Sequence, residues 1–563
     1  MASVPLKQHR KAWESAWLQS TMAGAGTLLL LAVIMRDLGP TTDEFTYIEC
    51  CRQVDRWVSD LPDLGTSNFT AKRLQEGWPF ATTNNKSLTV PALCAWIGRS
   101  AIGRFDQPPH SWRWGNSLLF AATTGLIFYW LKVECSTRAA IVAVATLLGT
   151  PRLMANACLF SVDPIVGCFW VWCCWSLVQS SRRTGWMFPI LFSVLAAGGI
   201  ATKPTFWFAI PVCLVWGLVY HRRCLRPFLC LATVTPLTVL ILCPMWWAAP
   251  MQSVVEYYHL LSTPRGWEGV DAYYLGDVYQ MPGTPPVPWH AVIVLTVVTT
   301  PLWIGVFFFA GSFGWLRICH RSDVVGLWMA STAVPPAVVM LPQTPGHDGV
   351  RMFLTSFFFV AMVTGYGFER AVTLIGGHST VTDADKIRTS RSTATGTGVR
   401  SIAAFLALIS VVGLSTWTVV RSHPAQLSYY NSLVGGWVGA SQPVRQSMTS
   451  PVNPRPRHEL SFWWEAMRLD DWRDMQRQLP AGSKVLVYPD YIGLALLEEW
   501  GALRSDIYFV RKPDEAEYLL IYCRLGRITS PDADPVGDMF YYSRPLWERQ
   551  VNGVRMAVLC HAR

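Results

Sequence analysis

Long apolar blocks separated by short polar connections run through the first 420 residues of this 563-residue chain. Stretches such as 26–35, 190–200 and 205–219 contain no charged residue, and many blocks reach spanning length once their flanks are counted. This pattern predicts an α-helical protein that crosses a membrane many times. We expect about eleven spans, at 17–35, 113–131, 139–159, 163–178, 186–202, 204–220, 227–247, 289–316, 323–342, 351–371 and 401–420.

The distribution of basic residues predicts the orientation of these spans. Three Lys or Arg residues precede the first block, so the N-terminus is expected in the cytoplasm and Asp43 on the outer face. With eleven spans, every strongly basic connection falls inside, including the long one at 370–400, and the C-terminal tail falls outside. The apolar stretch 88–103 is short and contains Arg99, so we interpret it as an interfacial or re-entrant helix.

The pattern divides the chain into two domains. We expect a transmembrane domain over residues 1–420, with outer segments at about 36–112 and 248–288. From about residue 421 the apolar blocks give way to short β-branched stretches between turn residues, which predict a small extracytoplasmic α/β domain over 421–563. Its expected strands are 482–489, 506–510, 518–523 and 554–560, around a helix at 493–500.

Composition narrows the classes of function. With 51% hydrophobic and 15% charged residues, the chain is too apolar for an ordinary soluble enzyme. The net charge of +10 is mostly the inside-positive bias, so no nucleic-acid partner is expected. The sequence contains no P-loop or dinucleotide-binding glycine motif, and no Cys/His group has metal-site spacing. Whether Cys523 and Cys560 form a disulfide in an oxidising compartment stays open.

Two adjacent carboxylates, Asp43 and Glu44, follow the first predicted span. Thr41 can cap a helix whose third position is Glu44, and apolar residues recur at helical spacing from Phe45 onward. Both acids could therefore simply complement a helix N-terminus. The capping box explains Glu44 better than Asp43, and a carboxylate at this position could also act as a general base. The residues alone leave both interpretations open.

Four more charged residues mark the outer ends of predicted spans: Arg113, Asp163, Lys203 and Arg351. Cations at span ends often extend their charged groups into the headgroup region and have no other role. Three cations on the translocated face contradict the inside-positive bias, however. Binding of a phosphate group would explain their position, because Lys and Arg bind a phosphodiester and stabilise it as a leaving group. Asp163 precedes Pro164, so helix capping and a functional role are both open.

Short motifs follow one another over about residues 15–440: Asp43-Glu44, Arg113, Pro151, Asp163, Thr202-Lys203, Tyr274-Leu275-Gly276, Pro288-Trp289, Asp348-Gly349-Val350-Arg351, His423-Pro424 and the run from Tyr429 to Gly436. In this order, they resemble the GT-C glycosyltransferase superfamily, in the branch of the protein O-mannosyltransferases and the lipid A aminoarabinose transferases. The resemblance implies an enzyme that moves a hexosyl or pentosyl group, with inversion, from a polyprenyl-phosphate donor to a hydroxyl or phosphate of a lipid or protein acceptor. It places the reaction on the extracytoplasmic face.

The resemblance also implies roles for named residues. Asp43 and Glu44 become the catalytic pair, with Asp43 as the base. The expected ligands of the donor phosphate are Arg113, Lys203 and Arg351, and the further site candidates are Asp163, Tyr274 and Asp348.

Three alternatives stay open. The adjacent acids could bind a divalent cation such as Mg²⁺ or Mn²⁺, because hard cations prefer oxygen ligands. The chain could be a receptor or scaffold whose α/β tail binds an outer partner. The third alternative is a membrane transporter or flippase of a lipid-linked sugar. It would need polar residues at mid-depth of the spans and often an internal repeat. The polar residues of this chain gather at one face instead, which favours the enzyme.

Overall fold

The computed structural model describes residues 6–78, 89–220, 225–262, 270–281, 286–318, 323–341, 344, 346, 348–375, 394–444, 455–460, 467–489, 493–525 and 534–562. In chain order, the helices up to residue 440 are α1 (Leu6–Ile34), α2 (Thr42–Ser59), α3 (Leu61–Leu64), α4 (Ala71–Gly77), α5 (Val90–Ala101), α6 (His110–Glu134), α7 (Thr137–Leu148), α8 (Pro151–Cys158), α9 (Val162–Arg182), α10 (Met187–Ile200), α11 (Ala209–Tyr220), α12 (Leu225–Leu242), α13 (Pro250–Ser262), α14 (Ala291–Thr299), α15 (Leu302–Ile318), α16 (Asp323–Val339), α17 (Ser356–Ile375), α18 (Ala394–Ser422) and α19 (Gly436–Ala440). A hairpin of β1 (Val270–Tyr274) and β2 (Asp277–Met281) lies between α13 and α14.

By length and composition, five of the described helices could cross a membrane, namely α1, α9, α12, α17 and α18. The number rises to seven if the bent pairs α7–α8 and α14–α15 each form one span, and α10, α11 and α16 are shorter apolar helices. Together with α6, these helices occupy all eleven predicted spans. The polytopic helical fold is confirmed, and the orientation of the spans stays a prediction.

One span differs from its predicted bounds. Residues Gly349–Phe353 form a 3-10 turn, and helix α17 begins only at Ser356. Arg351 therefore lies in a turn ahead of the helix and not on its first turn. The predicted interfacial stretch 88–103 contains α5, which packs closely on α6, since a Cβ on Gly98 would lie 2.2 Å from the backbone nitrogen of Gly115.

The break between α14 and α15 bends the chain by 117° and interrupts the helical hydrogen bonds at Pro301. A broken helix in an apolar environment needs other donors for its carbonyl groups. Asn431 supplies them, because its side-chain amide donates to the carbonyls of Val297 and Thr300 at 2.6 and 2.7 Å. Its backbone amide also donates to Val298 at 2.8 Å. This asparagine of the Tyr-Tyr-Asn motif thus supports the break.

The C-terminal part contains α20 (Leu469–Gln476), α21 (Leu494–Glu499) and α22 (Asp534–Tyr542) beside a five-stranded sheet. Its strands are β5 (Lys484–Tyr488), β6 (Tyr508–Val510), β7 (Tyr518–Tyr522), β8 (Trp547–Val551) and β9 (Val554–His561), in the order β6-β5-β7-β9-β8; a two-residue ladder of β3 (Pro443–Val444) and β4 (Arg455–Pro456) precedes it. The pairs β5–β6 and β5–β7 are parallel, and β7–β9 and β8–β9 are antiparallel. Four strands and the helix at 493–500 were predicted, and the α/β class is confirmed.

Cys560 of β9 and Cys523, the residue after β7, are both buried, and neither forms a disulfide. Cys560 faces Leu519 in the β7–β9 ladder, whereas the amide of Cys523 bonds to Met556, so the two thiols lie at opposite ends of the paired strands. The structure therefore does not contain the disulfide that the sequence left open.

The C-terminal part packs on helix α2. The Phe45 ring stacks on Trp500 with centroids 5.5 Å apart. A Cβ at Gly493 would lie 2.4 Å from the Phe45 ring. Arg52 of α2 also donates to Glu499 at 2.7 Å. The sheet therefore sits directly beside the helix that carries the two acids.

Candidate active site

Helix α2 begins as its sequence predicts. Thr41 is the N-cap, and the carboxylate of Glu44 accepts the backbone amide of Thr41 at 3.4 Å, as in a capping box. Asp43 and Glu44 thus stand in the first turn, where the helix dipole favours negative charge. Their side chains then have different partners, which separates their roles.

Glu44 and Arg113 form a fully buried ion pair. Nε and Nη2 of Arg113 donate to the two oxygens of Glu44, both at 2.8 Å, and neither side chain is exposed. Glu44 also accepts the amide of Phe160 at 3.0 Å. The remaining N–H groups of Arg113 donate to the carbonyls of Met35, Leu38 and Gly39. Because a guanidinium has five N–H groups, this arrangement occupies all of them.

The pair therefore ties the end of α1, the start of α2 and the start of α6 together. Burial lowers the pKa of His110, one turn before Arg113, to about 4, so this imidazole is neutral at pH 7 and adds no charge beside the pair.

Asp43 has a different environment from its neighbour. Its side chain is 35% exposed, and Oδ2 accepts from Nη2 of Arg351 at 2.6 Å. Its Oδ1 accepts no hydrogen bond from any residue in the described part of the chain. One oxygen is thus held in place, while the other stays available to a proton donor from outside.

Arg351 connects Asp43 with two more carboxylates. Its Nε donates to Asp163 at 3.0 Å and its Nη1 to Asp348 at 2.8 Å. Asp163 also accepts from Nζ of Lys203 at 2.7 Å. We call these five residues the Asp43 network. Asp163, Asp348, Lys203 and Arg351 are all less than one-fifth exposed, so water screens their interactions little.

Tyr274 lies on the side of this network that faces the C-terminal sheet. It lines a small pocket together with Asp348, Gly349, Glu459 and Arg524. Its buried hydroxyl has no hydrogen-bond partner among the residues that the structure describes. An unsatisfied buried hydroxyl is unfavourable, which makes this group a candidate for contact with a ligand.

The structure therefore brings together five of the eight predicted site residues in one network. Glu44 and Arg113 form a separate buried pair, and Tyr274 lines the adjoining pocket. Sequence reasoning missed Arg524 and Glu459, which join the network from the C-terminal part. The sequence holds no local signal for either, because Arg524 follows the apolar run of β7 and Glu459 follows a short basic stretch at 455–458.

The acids do not form a metal site. Among the described residues, no three His, Cys, Asp or Glu side chains cluster in a way that could hold a metal ion. Glu44 and Asp43 are each engaged by an arginine and share no common ligand position. These residues do not fit a divalent cation.

Comparisons with known proteins find one matching family model and solved structures of similar fold. The family model of dolichyl-phosphate-mannose-protein mannosyltransferases matches residues 89–247, which include Arg113, Asp163 and Lys203. Crystal structures of ArnT from Cupriavidus metallidurans, in the apo state and bound to undecaprenyl phosphate, are similar over 97% of this chain and 98% of that chain, with a TM-score of 0.52 and 12% identity.

The archaeal oligosaccharyltransferase AglB from Archaeoglobus fulgidus, in complex with an inhibitory peptide and a dolichol-phosphate, is similar over 98% of this chain and 74% of that chain, with a TM-score of 0.46 and 12% identity. A comparison with curated proteins finds no match.

Proposed function

We propose that this chain, a membrane protein with the GT-C fold, is a glycosyltransferase that moves a sugar from a polyprenyl-phosphate donor to a hydroxyl or phosphate of a lipid or protein acceptor. The transfer takes place on the extracytoplasmic face and inverts the anomeric centre. The observation that carries the proposal is the environment of Asp43, a partly exposed carboxylate paired with the mostly covered Arg351, which shares Asp163 with Lys203.

Asp43 acts as the general base. The acceptor oxygen attacks the anomeric carbon, its proton passes to Asp43 Oδ1, and the bond between that carbon and the phosphate oxygen breaks. The leaving polyprenyl phosphate keeps the bonding electron pair. A single displacement of this kind inverts the anomeric configuration. The ion pair with Arg351 fixes the carboxylate, and a fixed base contributes about 10²- to 10⁴-fold to such a step.

Lys203 and Arg351 bind the donor phosphate and stabilise it as it leaves. Both are held by carboxylates on their inner side, at Asp163 in each case. Arg113 takes a structural role instead of the phosphate role implied by the resemblance, because Glu44 and three backbone carbonyls occupy its donors. Glu44 correspondingly supports the start of α2 and is not the base.

Two further observations support a lipid-phosphate donor. The similar ArnT structure holds undecaprenyl phosphate, and the matching family model describes enzymes that use dolichyl-phosphate-mannose. Both carriers present a single phosphate on a polyprenyl chain. A site with two partly buried cations at the ends of apolar helices is suited to such a group.

The proposal is tested by incubating the purified protein with a panel of polyprenyl-phosphate sugars and measuring the release of polyprenyl phosphate. We expect release with at least one donor, and its loss in Asp43→Asn. Absence of release with every donor, in the presence of lipid and protein acceptors, would refute the proposed activity.

A further inference from the structure

The Asp43 network continues into the C-terminal part of the chain through one residue, Asp348. Its Oδ2 accepts from Nη1 of Arg351 at 2.8 Å, and its Oδ1 accepts from Nη2 of Arg524 at 3.0 Å. Arg524 lies two residues beyond the end of β7. One carboxylate is therefore shared by a guanidinium that contacts Asp43 and a guanidinium that belongs to the C-terminal sheet.

This connection is buried and well supported. Asp348 and Arg524 are about one-tenth exposed or less, so their attraction is only weakly screened by salt. Glu459, which is 2% exposed, lies 3.9 Å from Nη1 of Arg524 and accepts the amide of Leu525 at 2.5 Å. The arginine is therefore flanked by acids on two sides.

The backbone at Asp348 also depends on its surroundings. Asp348 and Gly349 both have φ of +59°, in the left-handed region that costs free energy for a residue with a Cβ. Such a conformation persists where neighbouring contacts enforce it. The two arginines on Asp348 are contacts of this kind, and the turn that they hold carries Arg351, three residues after Asp348.

The charges of the network also support a role for Arg524 in donor binding. The Asp43 network contains three carboxylates and two cations. Arg524 adds a third cation, while Glu459 beside it adds a fourth carboxylate. Loss of Arg524 would make this region more negative, and an anionic phosphodiester binds less well as negative charge grows, most of all where water is excluded.

We propose that Arg524 is a positioning residue for the transfer: it shares Asp348 with Arg351 and so keeps the Arg351 guanidinium directed at Asp43 and Asp163, ready for the donor phosphate. The C-terminal part thus completes the active site and is not only a module beside it. This inference rests on the proposed function, and it assigns no contact between Arg524 and substrate.

The test compares the purified full-length variants Arg524→Gln and Arg524→Lys. We expect Arg524→Gln to raise the KM for a polyprenyl-phosphate sugar about tenfold, with a smaller fall in kcat, because one cation of the network is lost. Arg524→Lys keeps the charge but lacks the planar fork, so it should restore part of the affinity. If Arg524→Gln does not fold, Arg524→Lys serves as the test variant.

A matched control and a double-mutant cycle separate positioning from folding. Arg477→Gln makes the same substitution in the same part of the chain, at an exposed pair with Asp474, and should leave KM and kcat unchanged. In the background of Asp348→Asn, Arg524→Gln should have less effect on KM than in the wild type, because Arg524 acts through that carboxylate. Equal effects in both backgrounds, or a wild-type KM in Arg524→Gln, would overturn the inference.

Direct binding of undecaprenyl phosphate distinguishes this inference from the proposed function. If Arg524→Gln binds the lipid more weakly and wild-type protein transfers no sugar from any donor, the inference stands while the proposed activity fails. If wild-type protein transfers sugar and Arg524→Gln binds the lipid as wild-type protein does, the inference fails alone. If wild-type protein does not bind the lipid, both fail.

Discussion

Asp43→Asn and Glu44→Gln should have different effects, although the two acids are adjacent: the first should reduce activity and the second should reduce stability. Asp43→Asn keeps the size of the side chain but removes the base. We expect kcat to fall by about 10² or more, equivalent to about 2.7 kcal/mol of transition-state stabilisation. The ion pair of Asp43 with Arg351 is 35% exposed on the Asp43 side, so its loss should cost at most about 1 kcal/mol of folding free energy.

Glu44→Gln should instead affect the fold. It breaks a pair in which neither side chain is exposed, and it leaves the Arg113 charge buried without its carboxylate. Removing one partner of such a pair costs about 3–5 kcal/mol, a large share of a typical folding free energy of about 5–15 kcal/mol. The sequence alone predicts only a capping role of about 1 kcal/mol for Glu44. The larger cost expected from the structure comes from leaving the Arg113 charge buried without its carboxylate.

The assay measures polyprenyl-phosphate release at equal concentrations of folded protein, with thermal unfolding followed in parallel. Asp63→Asn, an exposed carboxylate of the same outer segment, is the matched control and should behave as wild type. A fully active Asp43→Asn protein together with a stable but inactive Glu44→Gln protein would show that the roles are reversed. If both variants are active and stable, the acids only terminate a helix and the proposed mechanism is wrong.

Three more predictions follow from the geometry. Lys203→Gln should raise the KM for the donor about tenfold and lower the unfolding temperature, because Asp163 is 6% exposed and loses one cation; unchanged donor titration and unfolding curves would contradict the phosphate role. Arg113→Gln should fail to give monodisperse folded protein, at a cost of about 3–5 kcal/mol, as seen by size-exclusion chromatography; a stable variant with only a raised KM would restore a direct phosphate contact. Reporter fusions at positions 385 and 480 should lie on opposite sides of the membrane, and finding both on one side would remove the eleven-span orientation.

The helices could be predicted from the sequence because length and apolarity leave few other structures for such blocks. Helices occupy every predicted span, and even helix α2, which lies between two spans, begins at the predicted cap. Strand β8 was missed because its residues, Trp547–Val551, are mostly polar and have no apolar alternation. The turn before α17 was missed for a related reason: the left-handed backbone of Asp348 is held by distant arginines and has no local signature.

Partners of polar residues were much harder to predict than the residues themselves. Arg113 was recognised as a cation against the inside-positive bias, but its partner Glu44 is 69 positions away and has a local capping duty that already explains it. Arg524 pairs with an acid 176 positions earlier. Such pairings depend on how α2, α6 and the C-terminal sheet pack, and no spacing within the chain encodes that.

The packing also explains how a bound donor is placed against the base. In the structure Arg351 serves three carboxylates, and Asp43 is the most exposed of them. In the proposed mechanism, a donor phosphate reaches Arg351 from the side of Asp43, while Oδ2 of Asp43 stays paired with Nη2 of Arg351. The anomeric carbon then comes next to Oδ1 of Asp43, the oxygen that accepts the proton. Binding of the leaving group and positioning of the base are then one event, which restricts proton abstraction to a site that already contains the donor.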